Sequence, residues 1–283
     1  MMRLLQTATD PDLAAAAERM LAASVLSWEA WERLQIERQP DCILTRSDLD
    51  FPFFNNVMFP KLAPATAPDR IAQLIEAVGA NERAVCWWVT PSSAPADLGA
   101  LLEGAGAARV QQDHLMAAEL ATQPQPRLPA GLEIAEVVTR AQLARWTSVV
   151  VPAHGIPAAM GRHWIDAYAA AGFGSADAVN RHFIGTLDGK PVGAATLISA
   201  AGLAGLANVA TAESVRGRGV GSAMTLWPLA IARLAGYKVC CLSASAAGKA
   251  VYDRLGFRSY GEVAVHLWRP PDACPGDGRK QAG

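Results

Sequence analysis

The chain has 283 residues, of which 51% are hydrophobic, which is enough for one large domain or two domains of ordinary size. Its net charge of −1 comes from positive and negative side chains spread along the sequence, which argues against a nucleic-acid-binding protein. There is no membrane-length apolar stretch, no signal-peptide layout and no disulfide-framework spacing among the five cysteines, so we expect a cytoplasmic protein with reduced thiols and no membrane partner.

The first part of the chain alternates between predicted helices and strands. Asp10-Pro11-Asp12 is typical of a helix start, and apolar residues at helical spacing continue to Trp28, with Trp31 and Leu34 able to extend the helix. Two more helices are predicted over residues 71–78 and 95–103. Strands are predicted over residues 42–44, 53–59, 84–89 and 114–120.

A proline-rich segment, residues 122–130, is the best predicted linker, because it has three prolines and little apolar content. Beyond it, strands are predicted over residues 132–138, 181–187, 191–199, 206–211, 237–243 and 260–268, with a loop over 200–205. Helices are predicted over residues 141–151, 158–171, 222–234 and 247–255, the third of them bent at Pro228.

A glycine-rich turn joins the strand ending at residue 211 to the next helix. Gly217, Gly219 and Gly221 lack Cβ atoms, so a bulky ligand can approach the backbone closely there. Unpaired N–H groups and the helix dipole favour an anion at a helix N-terminus, and Arg216 and Arg218 add positive charge. The turn therefore predicts a phosphate or pyrophosphate site.

Two common phosphate motifs do not fit this turn. A P-loop needs Gly-Lys-Ser/Thr, whereas the chain has Gly189-Lys190-Pro191 and Gly248-Lys249-Ala250. The dinucleotide fingerprint needs G-x-G-x-x-G after the first strand of a βαβ unit, whereas the glycines here follow G-x-G-x-G late in the chain. The pattern that does fit is Arg-x-x-Gly-x-Gly, at Arg216, Gly219 and Gly221.

This pattern, between an apolar strand and a helix, resembles motif A of the GNAT family of acetyl-CoA-dependent N-acetyltransferases. The run Val251-Tyr252-Asp253-Arg254-Leu255-Gly256-Phe257 resembles motif B, in which a tyrosine precedes a Gly-Phe pair. The two motifs lie in about the last third of the chain, and the element order from Leu132 onward fits a whole GNAT domain. The resemblance implies an α/β (α+β) fold with a mixed, mostly antiparallel sheet flanked by helices.

The first half of the chain contains a similar but less complete order of strands and helices. Val85–Val89, a helix and Gly104 parallel Val239–Leu242, a helix and Gly256, but Lys61-Leu62-Ala63-Pro64 stands where the glycine loop would be. A degenerate GNAT-like domain and an unrelated αβ domain explain this equally well. The expected organisation is a degenerate GNAT-like domain (1–121), a linker (122–130), a catalytic GNAT domain (131–270) and a disordered tail (271–283).

The resemblance also implies site residues. Tyr252 matches the general acid that protonates the departing thiolate, and Asn208, on the central strand, could orient an amine or a water. Ser245 stands where many relatives have Asn, Glu213 replaces a usual proline, and no general base can be assigned. The residues expected to bind acetyl-CoA are Val209, Ala210, Thr211, Arg216, Gly217, Arg218, Gly219, Val220, Gly221, Ser222, Ser245 and Tyr252.

The expected reaction is direct transfer of an acetyl group from acetyl-CoA to a primary amine of a small molecule or peptide, without a metal. His154, His163 and His182 are not in metal-ligand spacing. Two alternatives stay open: a non-catalytic acyl-CoA sensor or partner-binding protein, and a nucleotide-phosphate binder. The protein is expected to be a monomer or a homodimer.

Overall fold

A computed structural model describes residues 4–79 and 83–270, and the chain divides into two compact units. Unit 1 combines the residues up to Glu32 with Asp113–Val263, and unit 2 combines Arg33–Gln112 with the residues from Ala264 onward. Two strands, β5 (Ala108–Glu119) and β11 (Arg258–Trp268), contribute residues to both units.

Among the described residues, unit 1 contains five helices and six strands, besides its share of β11. The helices are α1 (Leu13–Leu26), α4 (Arg140–Ala153), α5 (Gly161–Ala171) and α6 (Val220–Leu234), followed by the shorter α7 (Ala246–Arg254). Besides β5, its strands are β6 (Leu132–Glu136), β7 (Asn180–Leu187), β8 (Lys190–Ala200), β9 (Leu203–Thr211) and β10 (Val239–Ala244). The strand order is β5-β10-β9-β8-β7-β6, antiparallel except for the β9–β10 pair.

The sheet of unit 1 has helices on both sides. Helix α6 covers the side we call the α6 face, where Gly185 and Gly193 leave room for Met224: a Cβ atom at either glycine would lie 2.7 Å from the Met224 side chain. Helices α1, α4 and α5 pack on the opposite side, which we call the α1 face. There Met20 occupies the space above Gly205, where a Cβ atom would lie 2.1 Å from Met20 Sδ.

Unit 2 repeats part of this arrangement on a smaller scale. Its strands are β1 (Leu34–Arg38), β2 (Ile43–Ser47), β3 (Asn56–Met58), β4 (Val85–Val89) and the end of β11, and its helices are α2 (Ala67–Gly79) and α3 (Leu98–Gly104). The pairs β1–β2, β2–β3 and β4–β11 are antiparallel, whereas β3–β4 is parallel. A parallel pair beside antiparallel strands is also the pattern of β9 and β10.

Several predicted boundaries were wrong. The first helix does not extend to Leu34, which instead begins β1. The predicted loop over 200–205 shrinks to a turn at Ala201 and Gly202, both with positive φ, so β9 begins at Leu203. The predicted strand over 53–59 is a 3₁₀ turn at Pro52–Phe54 followed by the short β3, because Pro52 favours the start of such a turn.

The division into units also differs from the expected domain boundaries. The expected boundary placed α1 and the end of β5 in the first domain, whereas both lie in unit 1 with the later strands. The proline-rich segment lies in unit 1 as well: Gln123 is buried, and its Nε2 donates to the Leu255 carbonyl at 2.9 Å. The expected tail, 271–283, lies outside the described residues.

Within 4–79 and 83–270, none of the helices is long and apolar enough to cross a bilayer. The same residues contain no group of three or more His, Cys, Asp or Glu side chains placed to hold a metal ion.

Candidate functional site

The parallel strands β9 and β10 separate part-way along their length. Their pairing consists of Ala204 with Cys240, Gly205 with Cys241 and Leu206 with Leu242. Beyond that point β10 continues beside β5, and β9 continues to Thr211 beside β8. Among the described residues, the β10-facing edge of β9 after Leu206 therefore has backbone groups with no strand partner. An extended ligand can pair with such an edge as an additional strand.

A β-bulge lies on β9 just past this separation. The register between β8 and β9 shifts between Ala194 and Thr196, and Asn208 has φ +53°. Asparagine tolerates this left-handed conformation better than most side chains. Asn208 Nδ2 donates to Tyr168 Oη at 3.1 Å and to Thr196 Oγ1 at 3.2 Å. The predicted site residue Asn208 is thus held in a fixed orientation on the α1 face.

The glycine-rich turn has the conformation that its sequence predicts. Gly217 has φ +75°, and Gly219 has φ +81° and is the residue that precedes α6. No side chain caps this helix end, and its first helical hydrogen bond joins Ala223 N to Gly219 O at 3.1 Å. The N–H groups of the residues between them consequently point out of the helix end, where the dipole is positive.

Helix α6 begins two residues earlier than predicted, so Val220, Gly221 and Ser222 form its first turn. Gly221 lies against the end of β9, because a Cβ atom there would be 3.3 Å from Thr211 Oγ1. The structure thus brings the predicted strand edge and the predicted anion-binding turn next to each other.

The two arginines of the turn are exposed. Arg216 Nη1 lies 3.2 Å from Glu213 Oε1, and this exposed pair contributes little to stability. Arg216 borders a cavity of about 340 Å³ that Thr211 and Glu213 also line. Arg218 borders a second cavity of about 250 Å³ together with Lys190. Both cavities lie beside the turn, so each arginine can contribute positive charge to a ligand bound there.

Ser245 and Tyr252 lie at opposite ends of α7. Ser245 caps the helix, since its Oγ accepts a hydrogen bond from Gly248 N at 3.2 Å. Tyr252 packs against the core of the α6 face and makes an edge contact with Phe257, with ring centroids 5.7 Å apart. Burial raises the pKa of Tyr252 to about 12, so the phenol is protonated at neutral pH and can donate.

His182 lies beneath Asn208 and is completely buried. Its Nδ1 is 2.9 Å from Thr196 Oγ1, and its ring contacts Trp146 and Tyr168 with centroid distances of 4.6 and 4.3 Å. Burial lowers the pKa of His182 to about 3. His182 is therefore neutral at physiological pH and has no access to a substrate proton, which excludes it as a general base.

Sequence reasoning missed the side chains that surround these residues. Tyr168, Thr196 and His182 come from three different elements, and no local motif links them to Asn208. It also missed Asp113, whose Oδ2 accepts a hydrogen bond from Ser243 Oγ at 3.1 Å beside the separation of the strands. Only the register of the sheet brings these groups together.

Strands β9 and β10 thus part beside the open N-terminus of α6, which is the arrangement expected of the acyl-CoA N-acyltransferase fold. Residues 178–259 match the family model described as acetyltransferase (GNAT) domain. Within these residues the chain is similar to the GNAT family, and the resemblance noted from the motifs is confirmed. This class supports acyl transfer in general.

Solved structures agree with this fold over most of the chain. A GCN5-related N-acetyltransferase from Kribbella flavida is 21% identical with a TM-score of 0.65, over 89% of this chain and 95% of its own. One from Sphaerobacter thermophilus is 18% identical with a TM-score of 0.60, over 94% and 95%.

A tandem GNAT protein from the clavulanic acid biosynthesis pathway is 14% identical with a TM-score of 0.58, over 96% of this chain and 99% of its own. The fold is accordingly a GNAT fold accompanied by a second GNAT-like region, as predicted. No curated protein matches the chain significantly.

Proposed function

We propose that the protein transfers an acetyl group from acetyl-CoA directly to a primary amine of a small molecule or peptide. The observation that carries this proposal is the uncapped N-terminus of α6 beside the unpaired edge of β9. A pyrophosphate suits the first feature, and a pantetheine arm, which has amide groups, suits the second. Both features lie in one continuous segment of the chain, between Leu206 and Ser222.

Each predicted residue has a role in this proposal. The backbone of Val209, Ala210 and Thr211 pairs with the pantetheine arm. The turn from Arg216 to Ser222 holds the pyrophosphate. Tyr252 donates a proton to the departing thiolate, Ser245 supports Tyr252 by capping α7, and Asn208 orients the incoming amine.

The reaction is tested by incubating the protein with acetyl-CoA and a panel of primary amines and measuring free thiol. We expect thiol release with at least one amine, and a loss of about 10²-fold in kcat for Tyr252→Phe, because phenylalanine keeps the ring contact but cannot donate. Binding of acetyl-CoA without thiol release would favour the non-catalytic sensor. Thermal protection by ATP or NAD but not by CoA would favour the nucleotide binder.

The turn is tested with a matched pair of glycine variants at the two ends of α6. Gly219 and Gly236 both have positive φ, 81° and 94°, so alanine strains the backbone by about 1 kcal/mol at either position. We expect Gly219→Ala to weaken CoA binding at least about tenfold by calorimetry, because it reshapes the helix N-terminus. Gly236→Ala should leave CoA affinity unchanged. Equal effects of both variants would contradict the proposed site.

A further inference from the structure

Ser243 and Asp113 form a hydrogen-bonded pair where β9 and β10 separate. Ser243 directly follows Leu242, which makes the last pair with β9, at Leu206. On its other side Ser243 is paired with Leu115 of β5, two residues from Asp113. The hydrogen bond from Ser243 Oγ to Asp113 Oδ2, 3.1 Å long, therefore stands at the start of the gap between the strands.

The two members of the pair differ in their access to solvent. The Ser243 side chain is exposed, whereas Asp113 is only 9% exposed. The hydroxyl group is therefore accessible to a molecule bound beside the gap, whereas the carboxylate is shielded from solvent. A carboxylate behind a hydroxyl group can draw a proton from the hydroxyl when the hydroxyl oxygen accepts another one.

The pair lies on the opposite side of the sheet from Tyr252. Ser243 is two residues from Cys241, which belongs to the core of the α1 face, and alternate residues of a strand share a face. Tyr252 packs instead against the core of the α6 face, to which Met224 belongs. A base for the amine and an acid for the thiolate can therefore act from opposite faces of the sheet without competing for the same space.

We infer that Ser243 contacts the acceptor amine and that Asp113, acting through Ser243, positions it and receives its proton. This inference rests on the proposed acetyl transfer. Asn208 is on the same face as Ser243, since its partner Thr196 is two residues from Ile198 of the α1-face core. The acceptor therefore approaches from the α1 face.

The proton and electron changes balance without any further reactant. An ammonium proton passes to Ser243 Oγ as the hydroxyl proton of Ser243 passes to Asp113 Oδ2. The freed nitrogen lone pair forms the C–N bond, the C–S bond breaks with its electron pair on sulfur, and Tyr252 gives its phenolic proton to that sulfur. After the C–N bond has formed, the nitrogen loses its second proton to solvent. Asp113 releases the first proton to solvent and Tyr252 regains one from solvent, so the net products are the amide, CoA and one proton.

The test uses primary amines of graded basicity with the full-length protein. A strongly basic amine is protonated at the assay pH and needs the base, whereas a weakly basic amine is already neutral. We expect Asp113→Asn to lower kcat/KM about 10²-fold for strongly basic amines and much less for weakly basic ones, with the KM for acetyl-CoA unchanged. Ser243→Ala should show the same selectivity, and the double variant should be no worse than Asp113→Asn alone.

Asp166→Asn is the matched control, because Asp166 lies on α5 in an exposed ion pair with Arg140. It should leave the dependence on amine basicity unchanged. An active protein in which Asp113→Asn slows all amines equally, or slows none, would overturn this inference and leave the proposed function standing. If the wild type releases no thiol with any amine, both fall together.

Discussion

His182 is completely buried in contact with the rings of Trp146 and Tyr168. This burial lowers the stability of the folded protein at acidic pH. The folded protein keeps the pKa of His182 near 3, whereas the unfolded chain titrates near 6.5. Between these values the unfolded state binds a proton that the folded state does not bind. Protonation therefore favours unfolding, and the stability that neutral His182 contributes is lost as the pH falls below 6.5.

We predict that the free energy of unfolding falls by at most about 1.4 kcal/mol per pH unit below pH 6.5 on account of His182. His182→Asn can keep a polar contact with Thr196 but does not titrate in this range. Urea unfolding of the wild type and the variant at several pH values from neutral to 4 gives the free energy of unfolding as a function of pH. The difference between the two slopes reports His182, because the carboxylates contribute equally to both. Parallel pH profiles would show that His182 is not buried in its neutral form.

Helix α1 is the element whose placement the sequence did not reveal. Its amphipathic pattern was correctly predicted, although the helix begins at Leu13 and not at Pro11 as expected. Nothing in the pattern tells which sheet its apolar side covers. The structure places Met20 over Gly205 of β9, with Met20 Sδ 3.7 Å from Cys241 Sγ. Glycine at 205 is thus a steric requirement of this packing, as no larger side chain leaves room for Met20.

We predict that Met20→Ala destabilises unit 1 by about 2–5 kcal/mol, because it removes a buried side chain above Gly205 and leaves a cavity. Arg19→Ala, on the exposed side of the same helix, is the control and should change stability by less than about 0.5 kcal/mol. Urea unfolding followed by circular dichroism measures both. Equal, small effects would mean that α1 is not packed on β9 as the structure shows.

At the scale of the whole molecule, features that depend on neighbouring residues were predictable from the sequence, whereas features that depend on long-range pairing were not. The hairpin of β7 and β8 and the glycine turn were predicted because each depends on neighbouring residues. The short β1, the membership of α1 in unit 1 and the contact between Ser243 and Asp113 were missed, because each depends on residues far apart in the sequence. The motifs accordingly outlined the candidate site, whereas the contacts around Asn208 and Ser243 could not be predicted from them.

The interleaved composition of the two units has a consequence for biosynthesis. Helix α1 leaves the ribosome well before β8 and β9, on which it packs, because these strands are made more than 160 residues later. Strand β11 supplies residues to both units, so neither can be completed before it is translated. Domains usually fold in order as they emerge. Here the apolar side of α1 cannot be buried against β8 and β9 until residue 211 has been translated.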